Sequence, residues 1–138
     1  MGAGERMVSL GALREAETAR ILADCIRCGA CFEACPMVPF AAGAQDADPV
    51  GAVVGVLDLL TGGPGDEASR AWTAACTRSG SCNAACPTDA NPMRMLRLAK
   101  WRANETGALP KRDARDAMAR VKVFARLGMS EEEQARWL

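Results

Sequence analysis

Residues 25–36 read CIRCGACFEACP, and residues 76–87 read CTRSGSCNAACP. At an offset of 51 residues, seven of the twelve positions are identical: Cys25/Cys76, Arg27/Arg78, Gly29/Gly80, Cys31/Cys82, Ala34/Ala85, Cys35/Cys86 and Pro36/Pro87. The one chemically serious difference is Cys28 against Ser79. All seven cysteines of the chain lie in these two segments. Two copies are too few for a solenoid. They read as two related halves of one site.

Thiolates are soft ligands that suit iron–sulfur clusters and zinc. The first segment is C-x2-C-x2-C-x3-C-P, the bacterial cluster-binding spacing, in which the fourth cysteine ligates the other cluster of a pair. Short spacings let three thiolates of one loop converge on one cluster. Gly29 gives the backbone the freedom to wrap that closely, and Pro36 and Pro87 turn the chain out of the site. The rule predicts a first [4Fe–4S] cluster on Cys25, Cys28, Cys31 and Cys86. The second cluster takes Cys35, Cys76 and Cys82, with Ser79 as candidate fourth corner. No cysteine is left over. Crossed ligation ties the two segments together, so the fold is expected to depend on the metal.

A disulfide framework would favour an even cysteine count and a secreted chain. Zinc could use four thiolates, but the tandem spacing with both prolines is more specific than a zinc pattern. Three thiolates and a serine suit a [3Fe–4S] cluster at the second site. The alternative is a second [4Fe–4S] cluster with serine oxygen or solvent on one iron, and an open iron can act as a Lewis acid.

Around these segments the 138 residues are 49% apolar and 25% charged, the balance of one soluble globular domain. Aromatics are 4% and Tyr and His are absent. The shortage of β-branched and aromatic residues leans the chain towards helix. Helix signals run from Leu10 to Asp24, from the Asp48-Pro49 cap to Gly62-Gly63, from Asp66 through Trp72, and from Asn91-Pro92 to about Asn104, closed by Gly107. Pro110 opens the next pattern, with Ala114, Ala117, Met118, Val121, Phe124 and Ala125 on one face, and Gly128 ends it. Ser130 and Glu133 suggest a capping box for a last helix with Trp137 and Leu138. Residues 36–48 read as a loop. The expectation is an all-α domain, 1–138, of five or six short helices around two clusters. It would be complete or the N-terminal module of a longer chain.

Residues 1–90 carry 6 positive and 11 negative charges, and residues 91–138 carry 11 and 6. A net charge of zero argues against nucleic-acid binding. Arg94, Arg97, Lys100, Arg102, Lys111, Arg112, Arg115 and Arg120 form either a docking face or an ordinary solvated surface. Trp72 and Trp101 read as packing beside the clusters. Arg27 and Arg78 read as solvated or as raising cluster potentials. No apolar run approaches a transmembrane span, and no secretory signal is seen. With seven cysteines, this predicts a reducing cytoplasm. No nucleophile–base pair, phosphate loop or carboxylate pair stands out.

On these cysteines the chain resembles the α-helical ferredoxin domain, from about residue 10 to residue 105. That domain forms the C-terminal part of the iron–sulfur subunit of succinate dehydrogenase and fumarate reductase, and occurs in the small subunit of heterodisulfide reductase. C-x5-C-x3-C-P with Asn91-Pro92 is similar to the [3Fe–4S] segment of the succinate dehydrogenase subunit. Gly80 and the repeat itself are similar to the heterodisulfide reductase pattern. No C-x4-C-x2-C and no CCG segment is present. The quinone-pocket residues have no clear counterpart near Phe40 or Thr77. The resemblance implies an electron-transfer component of an oxidoreductase complex rather than a complete enzyme. It would take electrons from a flavoprotein and pass them to an iron–sulfur or membrane-associated acceptor, and no organic substrate is expected. The domain would be cytoplasmic, or peripheral on the cytoplasmic membrane face through a partner. The remaining readings are a catalytic cluster open at Ser79 and a cluster-based redox sensor.

Overall fold

The computed structural model describes residues 9–111 and 113–137. Among them are eight α-helices, one 3₁₀ turn at Val38–Phe40, and no strand. The helices are α1 (Leu10–Asp24), α2 (Ala30–Glu33), α3 (Pro49–Thr61), α4 (Glu67–Ala75), α5 (Ser81–Ala85), α6 (Pro92–Thr106), α7 (Ala114–Gly128) and α8 (Glu131–Trp137). The all-α expectation holds. The two helices beyond the expected six are α2 and α5, one turn each, too short to show a hydrophobic period.

The caps act as the sequence suggests. Asp48 accepts the Gly51 N–H at 2.7 Å, Pro49 fills the first turn, and Gly62 ends α3 at φ 98°. Asp66 and Ser69 exchange hydrogen bonds as a capping box on α4. Asn91 accepts the Arg94 N–H. The last two helices differ in part from expectation. Pro110 does not open α7, because Asp113 supplies the cap by accepting the Arg115 N–H at 2.9 Å. Ser130 and Glu133 form the expected box. No residue of α7 or α8 is buried, so the apolar face of α7 is not core. Leu138 lies outside the described residues.

α3 is apolar on most sides and lies in the middle, packed against α4 and α6. Its Val53, Val56, Leu59 and Leu60 are fully buried in one core with Ile21, Trp72, Met95 and Leu96. Trp72 meets Phe32 edge to face at 5.0 Å, which anchors the first cysteine segment to the core. Trp101 packs elsewhere, under the Arg14 guanidinium at 4.6 Å. The acidic and basic halves of the sequence meet inside the molecule. Arg14–Glu105, Arg94–Glu17 and Arg102–Glu15 join α1 to α6. Arg94 first, and then Arg20, hold the Glu17 carboxyl below its ordinary pKa.

The repeat is also a repeat of backbone. Arg27 and Arg78 sit at φ 60° and 61°, and Gly29 and Gly80 at φ 83° and 82°, each glycine leading into a one-turn helix. α2 and α5 pack against each other. The glycines differ in surroundings. A Cβ on Gly29 would stand 2.7 Å from Pro49 Cβ, whereas one on Gly80 meets nothing within 4 Å. Gly80→Ala is expected to cost about 1–2 kcal/mol from left-handed backbone strain alone. Gly29→Ala is expected to cost more, because Pro49 and the start of α3 must also move. Urea unfolding of the two variants measures the difference, and equal losses would contradict the close approach.

Candidate metal centre

Each cysteine is placed by a local backbone device. Cys25 ends α1, its N–H donating to Ile21 at 2.9 Å. The left-handed Arg27 folds back, and its guanidinium donates to the Cys25 carbonyl at 3.1 Å. Gly29 then starts α2, which buries Cys31. The second segment repeats the plan: Cys76 ends α4, Gly80 starts α5, α5 buries Cys82, and Cys86 ends it. All seven thiols are free.

Cys25, Cys28 and Cys31 of the first segment and Cys86 of the second line one small cavity of about 20 Å³, with Val53 of α3 and Met95 of α6 in its wall. Burial pushes the Cys31 thiol up from the ordinary value of 9.0 to about 12, helped by Cys25, Cys82 and Cys28. The Cys82 thiol is also raised, by burial first and then by Cys76 and Cys35. Cys82 thus feels Cys35 of the first segment as well as Cys76 of its own, and Cys31 feels Cys82. Ser79 is exposed, and its hydroxyl lies 3.3 Å from that of Ser81.

The donor set fits a polynuclear metal core. Thiolates are the soft donors that iron–sulfur centres use, and the first four thiols ring a cavity with apolar walls. Buried thiols favour the protonated form, so metal uptake must release protons. Trp72 Nε1 and Thr73 Oγ1, both on the helix that delivers Cys76, are buried with no protein partner among the described residues.

Several contributing residues escape the cysteine pattern. Thr88 Oγ1 lies 3.5 Å from Cys86 Sγ. Asn83 stands where the first segment has Phe32, and its side-chain oxygen accepts the Met93 N–H at 3.0 Å. It thereby fixes α5 to the start of α6. The repeat could have pointed to Arg27 and Arg78 as turn residues, because only their shared position separates them from other surface arginines. Nothing local marks Val53 or Met95.

With the thiols free, iodoacetamide is expected to label exposed Cys28 first and Cys31 and Cys82 last, read by mass spectrometry of the digested protein. Equal labelling of all seven would mean that the segments do not hold their places without metal. The raised Cys31 pKa also has a stability consequence. Between about pH 9 and 12 the unfolded chain has lost this proton while the folded chain keeps it. The thiol form of the fold is thus expected to keep its stability below that window and lose it as pH rises through it.

Residues 21–90 match the family of 4Fe-4S dicluster domains, a span of half the 138-residue chain that holds all seven cysteines. No curated protein and no solved structure matches the chain. No helix among the described residues is long and apolar enough to cross a membrane. The four-thiol cavity, the all-helical fold and the matched span lead to one conclusion: the chain belongs to the family of 4Fe-4S dicluster domains, iron–sulfur domains suited to electron transfer.

Proposed function

We propose that Cys25, Cys28, Cys31 and Cys86 hold a [4Fe–4S] cluster and that Cys35, Cys76 and Cys82 hold a [3Fe–4S] cluster. The domain passes single electrons as a subunit or module of a larger oxidoreductase of the α-helical ferredoxin kind. The observation that carries this reading is the one cavity lined by Cys25, Cys28, Cys31 and Cys86, with Ser79 at the repeat position of Cys28. Clusters of this type supply one-electron chemistry.

The protein's own groups supply position and environment. α2 and α5 hold Cys31 and Cys82 away from water, and Val53 and Met95 keep the first cavity apolar. The Thr88 hydroxyl is within reach of the Cys86 sulfur and can tune it. A flavoprotein donates on the [4Fe–4S] side, and an iron–sulfur or membrane-associated acceptor receives on the other. Seven free thiols suit a reducing compartment, which supports the cytoplasm as the domain's location.

Electron paramagnetic resonance of anaerobically purified protein, with iron and sulfide counted on the same sample, tests the reading. The oxidised sample is expected to show a three-iron signal and about seven irons per chain. The Ser79→Cys variant completes the second spacing and is expected to lose that signal and gain about one iron. About eight irons and no three-iron signal in the unaltered protein would remove the [3Fe–4S] assignment and favour a fourth, open iron beside Ser79.

A further inference from the structure

Eight cations between Arg94 and Arg120 give the C-terminal part of the chain its positive excess. The fold treats them unequally. Glu17 and Glu15 of α1 neutralise Arg94 and Arg102 at 2.8 and 3.0 Å. Arg97, Lys100 and Lys111 form no ion pair among the described residues, and neither does Arg78 of the second cysteine segment. Arg112 lies outside the described residues.

Arg115 and Arg120 likewise form no ion pair among the described residues, but Arg78, Arg97, Lys100 and Lys111 gather on one side of the site. Arg78, Arg97 and Lys100 line a surface depression that has Cys76 in its wall. Lys100 is steadied there by donating to the Ala74 carbonyl at 3.0 Å. It also lines a larger groove that runs on to Lys111. No carboxylate lines either depression. Arg120 reaches the far end but shares its neighbourhood with Asp113 and Asp116, so it adds little net charge. The cavity of Cys25 differs. Exposed Ile26 stands at its edge, and the one cation there, Arg27, donates to the Cys25 carbonyl.

We propose that the face formed by Arg78, Arg97, Lys100 and Lys111 docks an acidic redox protein beside Cys76. Arg78, Arg97 and Lys111 are exposed and spread over two open grooves. The matching shape is an extended acidic protein surface rather than one small anion. Unpaired rim charges of this kind steer association more than they hold the final complex. The docking face rests on the proposed function only in that the Cys76 side passes electrons. In each encounter one electron leaves the reduced iron–sulfur centre, which is oxidised by one unit, and the partner's acceptor is reduced by one. No bond in this chain breaks.

The probes are two one-electron haem proteins of opposite charge, an acidic cytochrome b5 and a basic cytochrome c. Dithionite-reduced holoprotein is mixed with each, and haem reduction is followed by stopped flow. Carbodiimide cross-links to cytochrome b5 are mapped in parallel. Reduction of cytochrome b5 is expected to slow as salt rises. The R97E/K111E variant is expected to slow it about tenfold at low salt, while the same charge change in K122E/R126E leaves it within twofold. Cross-links are expected on Lys100 and Lys111.

Haem reduction indifferent to R97E/K111E, or slowed equally by K122E/R126E, would overturn the docking face and leave electron transfer standing. Faster reaction with cytochrome c would do the same. Cross-links on Lys100 and Lys111 without any haem reduction would support the acidic-partner face and sink the electron-transfer reading. Displacement of cytochrome b5 by duplex DNA or phosphatidylserine vesicles, with no effect of R97E/K111E on haem reduction, would assign the charge to another partner and overturn the proposal.

Discussion

The packing of α2 against α5 is the contact on which the rest depends. Each is a single turn and could not persist alone, because helix nucleation costs more than one turn returns. Each is held by what it touches: the other short helix, the left-handed glycine before it, and the longer helices around it. That packing buries Cys31 and Cys82, and Cys31 feels the Cys82 thiol. Every other thiol is then positioned by chain entering or leaving these two turns. The elevated thiol pKa values record the cost of the arrangement. Sulfur is taken from water to make it, which holds the thiols in their protonated form.

The two halves share a backbone and differ in their attachments. Phe32 ties α2 to the core through Trp72. Its repeat partner Asn83 ties α5 to the first turn of α6 through a hydrogen bond. One anchor is apolar and non-directional, the other polar and directional, and both fix a one-turn helix to a long one. Gly29 is likewise closed in by Pro49, while Gly80 faces open space. The pseudo-symmetry is therefore local to the cysteine turns. The scaffold around them is not symmetric, since α3 and α6 contribute Val53 and Met95 to the four-thiol cavity.

Much of this was legible in the sequence because its signals are local. Asp48-Pro49, Asp66 and Asn91-Pro92 cap helices with their own side chains or fixed φ, and need no knowledge of the fold. The cysteine spacing is local in the same sense. What could not be read required distant residues. Glu15 and Glu17 of α1 neutralise part of the basic run, and no helical period shows which cations they take. The left-handed backbone at Arg27 and Arg78 is uncommon for residues other than glycine, and their side chains gave no hint of it. The apolar stripe on α7 gave no sign that none of its residues would be buried, because amphipathicity does not say what lies opposite. The single turns α2 and α5 fall below the length at which any period can register.

The layout also bears on how the chain finds this arrangement. Cys31 and Cys82 are 51 residues apart, and bringing such a separation together as free chain costs about 3.5 kcal/mol of closure entropy. The α3–α4 hairpin lies between them, closed by a short turn around Gly62 and Asp66. Once it has formed, only residues 32–48 and 76–81, about 23 in all, remain free as tether, which lowers the closure cost by about 0.7 kcal/mol. The hairpin is thus more than a wall of the site. It is the jig that carries two remote cysteine turns to the same place.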